Sequence, residues 1–323
     1  MTKDQSTILK GVAILMMLWY HLFDEEQSGI CYQISLACNP VPFFLIISGY
    51  GYSFKYLNGS LSFGNVLRKT ATLYAFYWFT MAIFVTVAHV MGKAGYPGSI
   101  TDVVSNVIGY ECTYNHETWF LFPYSLITLL SVLFLPKLFT LRPRLAVLLA
   151  VLYFVVYVAV HFLIDGMKEN DPFAILKQQA FFLFLFFFYF SLGILLYRIS
   201  NNGMKKRHYN NVVLIFLLLL LVLGKIYYTG SAMFVRGIFA FAFIFIFIHM
   251  SIGAGLSAVL RKFGEYSLGM WLTHTYFSEY IFRPYILWSG YHVVTFLTLV
   301  VVSFITAWLL QNIWRMVVRH IAS

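Results

Sequence analysis

Charge is scarce in this chain. Only 11% of its 323 residues are Asp, Glu, Lys or Arg, against 61% hydrophobic and 20% aromatic, and a soluble domain of that size cannot cover its surface with so few polar groups. Acids are scarcer than bases, 12 against 22 Lys and Arg, for a formal charge of +10. The excess is scattered in short clusters between apolar runs rather than laid along one stripe, which argues against nucleic acid as a partner. Cysteine is nearly absent: there are 3, an odd count, with no CxxC and no His/Cys spacing that would hold a metal, so no metal site is expected. Internal repeats, Gly/Ser linkers and a soluble appendage are also lacking, and residues 1–323 read as a single integral domain.

What is present is apolar length. Runs near 7–23, 41–57, 70–91, 119–139, 145–164, 179–198, 212–228, 232–250, 266–282 and 293–314 give about ten segments that match the ~20 residues needed to cross a bilayer. The expected fold is all-α, a polytopic membrane protein with the lipid bilayer as its solvent. Placing the N-terminus in the cytoplasm gathers Lys3, Lys10, Lys55, Arg68, Lys69, Lys205, Lys206 and Arg207 inside, together with Arg261, Lys262 and Arg315, so both termini are cytoplasmic. Residues 8–23 are followed by Asp24, Glu25 and Glu26 with no small-residue cleavage site, so this segment reads as a mature helix rather than a signal peptide. Residues 181–190, almost wholly Phe and Leu, read as a lipid-facing stretch. Cys31, Cys38 and Cys112 fall in the two long outer connections, 24–40 and 92–118, either as three free thiols or with one bridge.

Two ionisable groups stand inside the first apolar helix, Lys10 near its start and His21 near its end, roughly 16 Å apart along the axis. An ionisable side chain in a spanning segment is a functional-site hypothesis by default. Asp24 and Glu25 follow His21 at i+3 and i+4, so on a continuing helix either carboxylate reaches the imidazole and prepares it as a general base. The same acids also serve simply to mark the aqueous end of the helix. Lys10 reads equally as an inner-face cation whose stem snorkels to the interface. In the second helix Ser48, Gly49 and Gly51 permit close helix approach, or leave room beside a narrow ligand.

Leu9-Lys10-Gly11-Val12-Ala13 followed by His21 resembles the first-helix signature of the acyltransferase-3 family of integral membrane O-acyltransferases. Phe43-Phe44-Leu45-Ile46-Ile47-Ser48-Gly49-Tyr50 resembles its second-helix block. Arg68-Lys69, His116-Glu117-Thr118-Trp119-Phe120-Leu121 and Phe263-Gly264-Glu265-Tyr266-Ser267-Leu268-Gly269 with His274 are similar to later blocks, in the expected order. The resemblance implies transfer of an acyl group, usually acetyl from acetyl-CoA, to a hydroxyl of a carbohydrate or other cell-envelope acceptor, in the bacterial cytoplasmic membrane. It implies His21 as base or acyl carrier, with Asp24 or Glu25 orienting its ring. Lys10 then stands where the family usually has Arg, keeping the charge but losing the bidentate phosphate fork. On this reading Lys10, Lys55, Arg68 and Lys69 hold the CoA phosphates and Ser48 and Gly49 flank its thin arm. His116, Glu117, Trp119, Ser267 and His274 lie toward the acceptor.

The rival from another class is a polytopic transporter or flippase for an envelope precursor, but no inverted repeat or matched pair of Gly/Pro-broken helices supports it. The charge sorting generates a direct test of orientation. In single-cysteine variants, a probe at position 26 should react with reagents confined to the outside of intact cells, and a probe at 206 should react only after the membrane is opened. The reverse pattern would invert the topology.

Overall fold

A computed structural model describes residues 1–141, 158, 173–201, 209–228 and 233–322, and all regular structure among them is helical. Helix α1, Lys3–Phe23, is started by a capping box in which the Thr2 hydroxyl accepts the Gln5 N–H and the Gln5 side chain accepts the Thr2 N–H. It ends at Phe23, where a 3-10 turn, Asp24–Glu26, takes over. After a short helix α2, Gly29–Ser35, comes α3, Pro40–Leu57, which opens on proline, where the ring removes only an N–H that would lack a partner anyway. Next come α4, Phe63–Val90, the short α5, Ile100–Ile108, and a 3-10 turn, His116–Phe120, that runs into α6, Leu121–Thr140. Beyond these lie α7, Ala174–Asn201, α8, Asn211–Tyr227, α9, Met233–Phe247, and α10, Ala254–Thr275. A π-helical turn, Tyr276–Tyr280, a one-turn α11, Arg283–Ile286, and α12, His292–Ala322, complete the order.

Six helical stretches among the described residues are long and apolar enough to cross a membrane: Lys3–Glu26, Gly29–Leu57, Phe63–Val90, His116–Thr140, Ala174–Asn201 and His292–His320. The apolar helices Asn211–Tyr227 and Met233–Phe247 are shorter. The segment expected at 145–164 lies outside the described residues. The one expected at 266–282 is displaced, starting at Ala254 and giving way to the π turn after Thr275. Its charged start was read as a connection, but the charges are neutralised on the helix: Arg261 pairs with Asp4 at 2.8 Å and Lys262 with Glu265 at 2.9 Å. The Phe-rich run at 181–190 also departs from a purely lipid-facing reading. Phe181, Leu185, Phe186, Tyr189 and Phe190 are buried while Phe184 is exposed, because a helix apolar all round carries no pattern that says which side meets protein. All three cysteines are free.

Helix α1 is central, sharing one core cluster with α4, α10 and α12 and a second with α3 and α9. Glycines set how closely these helices approach. A methyl group on Gly11 would run into the Leu260 carbonyl of α10, and one on Gly264 into the Thr7 carbonyl of α1. Gly49 on α3 and Gly193 on α7 form a second crossing, where a Cβ on Gly49 would meet the Phe190 carbonyl. Gly49 therefore serves helix packing rather than the ligand arm it was expected to flank. Beyond the His21 end of α1, Trp19 Nε1 donates to the Cys31 carbonyl at 3.1 Å and Lys225 Nζ to the Leu36 carbonyl at 2.8 Å, tying the connection to the bundle.

Replacing Gly264 by Ala should force α1 and α10 apart and destabilise the protein by about 1–3 kcal/mol. Gly51→Ala, where a new Cβ meets nothing within 4 Å, should leave stability intact. Thermal unfolding of the purified variants in one detergent checks both, and equal melting temperatures would remove the crossing from the account of the fold.

Candidate active site

His21 comes from the last turn of α1, Glu117 from the 3-10 turn before α6, His274 from the end of α10 and Glu279 from the π turn that follows it. Nε2 of His21 lies 3.1 Å from Glu117 Oε2, and Nδ1 lies 3.9 Å from Glu279 Oε1. The His21 side chain is only 12% exposed. Its ring sits 5.1 Å, centre to centre, from that of His274. Because an ionised carboxylate only accepts, Glu117 fixes the proton of a neutral imidazole on Nε2 and leaves the lone pair on Nδ1. His274 is fully buried, and its Nδ1 faces the Trp271 carbonyl at 2.8 Å, which places its own lone pair on Nε2. That Nε2 has no hydrogen-bond partner among the described residues.

The turn that carries Glu117 is fastened to α10 by a buried asparagine. Asn115 Oδ1 accepts the Glu117 N–H at 3.1 Å and the Thr275 hydroxyl at 2.8 Å, while Asn115 Nδ2 donates to the Leu272 carbonyl at 3.2 Å. Trp271 Nε1 donates to the Glu117 carbonyl at 3.2 Å. Backbone position is thus fixed from two sides, which leaves the Glu117 carboxylate aimed at His21.

A cavity of about 640 Å³ runs beside α1 from Ser6, Glu265 and Arg315 at one end to Met17 and Glu117 at the other. Lys10, Lys55 and Lys69 line it, and none of the three has a carboxylate partner among the described residues. The Lys55 and Lys69 ammonium groups instead lie 5.5 and 5.2 Å from the Tyr52 ring. Ser48 faces the cavity and shares a hydrogen bond with the Tyr124 hydroxyl at 3.1 Å. Scarce charge left unpaired in a lined cavity suits a polyanionic ligand, and these side chains fit the phosphates of a nucleotide carrier.

Several expected site residues are brought together and others are not. Lys10, Ser48, Lys55, Lys69, Glu117, Trp119 and Ser267 line the one cavity, with His274 beside His21 at its end. Arg68 is exposed and outside the lining, because the α4 helix turns it away from its neighbour Lys69. His116 is exposed, with its ring 6.3 Å from that of Tyr280. Neither Asp24 nor Glu25 forms an ion pair with the His21 ring: Asp24 caps α1 and its carboxylate is engaged by the Tyr20 hydroxyl, and Glu25, in the 3-10 turn, pairs with Arg283 at 3.8 Å. The carboxylate on His21 is Glu117, distant in sequence. Glu279 and Asn115 were not singled out from the sequence, an acid at the end of an apolar segment being the one available signal for Glu279, and Arg315 entered only as an inner-face cation.

The family model described as an acyltransferase domain matches residues 5–311. Searches of curated proteins and of solved structures return no match. The match takes in nearly the whole chain, including His21, the cationic cavity and both turns that supply its carboxylates, and the protein belongs to the acyltransferase-3 family of membrane acyltransferases.

Proposed function

We propose that this membrane acyltransferase moves an acyl group, acetyl from acetyl-CoA, from the cytoplasmic side to a hydroxyl of a cell-envelope carbohydrate or related small acceptor. In a bacterial cell the chain would sit in the cytoplasmic membrane with both termini inside. One observation carries the reading: a cavity lined by Lys10, Lys55 and Lys69, none with a carboxylate partner among the described residues, ends at Glu117, which is bonded to the largely buried His21. When bound, an acyl-CoA supplies a thioester carbonyl already activated for attack. Lys55, Lys69 and Arg315 offer charge to its phosphates, and Lys10 does so further along α1.

His21 then works as a general base. Its Nδ1 takes the proton of the acceptor hydroxyl as the oxygen bonds to the acyl carbon, and the imidazolium returns that proton to the sulfur as the carbon–sulfur bond breaks. Glu117 steadies the positive charge that appears on the ring between those two transfers.

His21→Ala should lower acetyl transfer on the order of 10²- to 10⁴-fold without loss of acetyl-CoA binding. Glu117→Gln should approach that loss, whereas Asp24→Asn and Glu25→Gln should keep most activity. Radiolabelled acetyl transfer measured on membranes checks the series. An acetyl group trapped on His21 would replace direct transfer by the carrier mechanism, and substantial transfer by a correctly inserted His21→Ala protein would sink both.

Neutralising Lys10 or Lys69 should weaken binding of acetyl-CoA far more than of a short acetyl thioester without the nucleotide, while Lys10→Arg should preserve or improve it. Arg68→Gln should have little effect. Equal losses for the two thioesters would assign the lysines to folding or orientation.

A further inference from the structure

The second carboxylate at His21 has no part in the mechanism above. Glu279 is held there by the π turn Tyr276–Tyr280, in which the Ile281 N–H reaches back to the Tyr276 carbonyl at 2.9 Å. Such turns are uncommon and recur at functional sites. The turn is pinned at its start, where Tyr276 stacks on Phe84 with ring centres 4.3 Å apart and planes 6° from parallel. Glu279, 27% exposed, faces Nδ1 of His21, while Glu117 is bonded to Nε2.

Consider what faces what across that gap. With Glu117 holding the Nε2 proton, Nδ1 is an acceptor, and the Glu279 carboxylate 3.9 Å away is an acceptor too. The neighbouring His274 ring lies 5.1 Å from that of His21, and its buried Nε2 has no partner among the described residues. Tyr280 donates one hydrogen bond to Glu279, but an ionised carboxylate keeps further lone pairs, so Nδ1 and Glu279 together are the complement of a ligand that brings more than one hydroxyl proton. One lone hydroxyl carries a single proton and satisfies only one of them. Two hydroxyls on adjacent carbons satisfy both facing groups at once, the first on Nδ1 and the second on Glu279.

Charge narrows the ligand further. Glu117 and Glu279 flank the ring, while Glu25 and Glu26 are engaged with Arg283 and His292. Among the described residues no Lys or Arg pairs with Glu117 or Glu279. An acceptor bearing an anionic group beside the reacting hydroxyl would meet uncompensated negative charge there.

The geometry points to Glu279 as the residue that selects the acceptor, by accepting a hydrogen bond from a second hydroxyl adjacent to the one that is acylated, so that the enzyme takes an uncharged vicinal diol. The assignment rests on the reading of His21 as the base. Glu279 is a positioning residue: it leaves the proton transfer to His21 and fixes which oxygen is presented to Nδ1.

The test uses the full chain in detergent with acetyl-CoA and three surrogate acceptors of one shape: vicinal cyclohexanediol, the cyclohexanediol with opposed hydroxyls, and cyclohexanol. The native protein should prefer the vicinal diol by ~10- to 100-fold in kcat/KM over the other two, as expected for a hydrogen bond to a charged group. Glu279→Ala should collapse that preference, mainly through KM, and Glu279→Gln, which keeps the size and one acceptor oxygen, should retain part of it. A melting temperature measured for each variant separates this from misfolding, and if Glu279→Ala does not fold, Glu279→Gln decides on the same ratio. A native protein that transfers to the vicinal diol no better than to cyclohexanol, including not at all, overturns the proposal, as does a Glu279→Ala protein that keeps the preference. Failure of the underlying reading shows differently: His21→Ala would then still acetylate the vicinal diol, with its preference unchanged.

Discussion

The crossing of α1 and α10 at Gly11 and Gly264 sets the rest of the site. Each glycine leaves its helix without a Cβ where the partner's backbone carbonyl passes, so the two axes come closer than larger side chains would allow. His21 lies about three helical turns beyond Gly11, and His274 the same distance beyond Gly264. Two helices locked together at the glycines and running in the same direction bring those imidazoles to one level, which is why the rings meet at 5.1 Å. The same length of α10 supplies Trp271, Leu272 and Thr275, which fasten the turn bearing Glu117. The π turn that follows carries Glu279 back toward the ring. A displacement at the crossing is therefore felt by every group on His21.

Much of the site could be read in the sequence because it is built on α1, where position along one helix is position across the membrane. Lys10 and His21 are visible there as polar interruptions of an apolar run, and their separation follows from helix rise alone. Lys55 and Lys69 stood out for the same reason at the ends of their own helices. What failed was the step from spacing to contact. Asp24 and Glu25 have the right offset for His21, yet Asp24 caps α1 and is engaged by the Tyr20 hydroxyl, and Glu25, in the 3-10 turn, pairs with Arg283. Glu117 was noticed as part of a motif but placed near the acceptor, since nothing in a single chain shows that the fourth spanning helix enters beside the first. Gly49 and Ser48 illustrate the limit most sharply: adjacent small residues invite one role, yet one meets the Phe190 backbone and the other faces the cavity.

The fold was legible where composition is decisive and less so where it is uniform. Apolar length announces the spanning helices, but α10 begins in a charged stretch whose ion pairs with Asp4 and Glu265 allow it to stay helical. Residues 181–190 have the opposite difficulty. With Phe on every side, the choice of which rings are buried is made by Gly193 and the α3 surface it meets, not by any pattern within the run.

Scarcity of charge also gives the site its polarity. Lys10, Lys55 and Lys69 line the cavity along α1, whereas at the far end the carboxylates of Glu117 and Glu279 flank an imidazole. In the proposed reaction the carrier is polyanionic and the acceptor uncharged, so the two are drawn to opposite ends of one passage by opposite features. On that proposal the lysines would hold an anion that the glutamates would repel if it advanced further, so that the nucleotide stays among the lysines and only the neutral arm approaches His21. Hydroxyls, in turn, find acceptors at the His21 end and competing cations at the other. Phe44, Phe120, Trp119 and Trp271 line part of the passage, and low local polarity strengthens both effects. In the proposed reaction, direction of transfer thus follows from where a few charges stand.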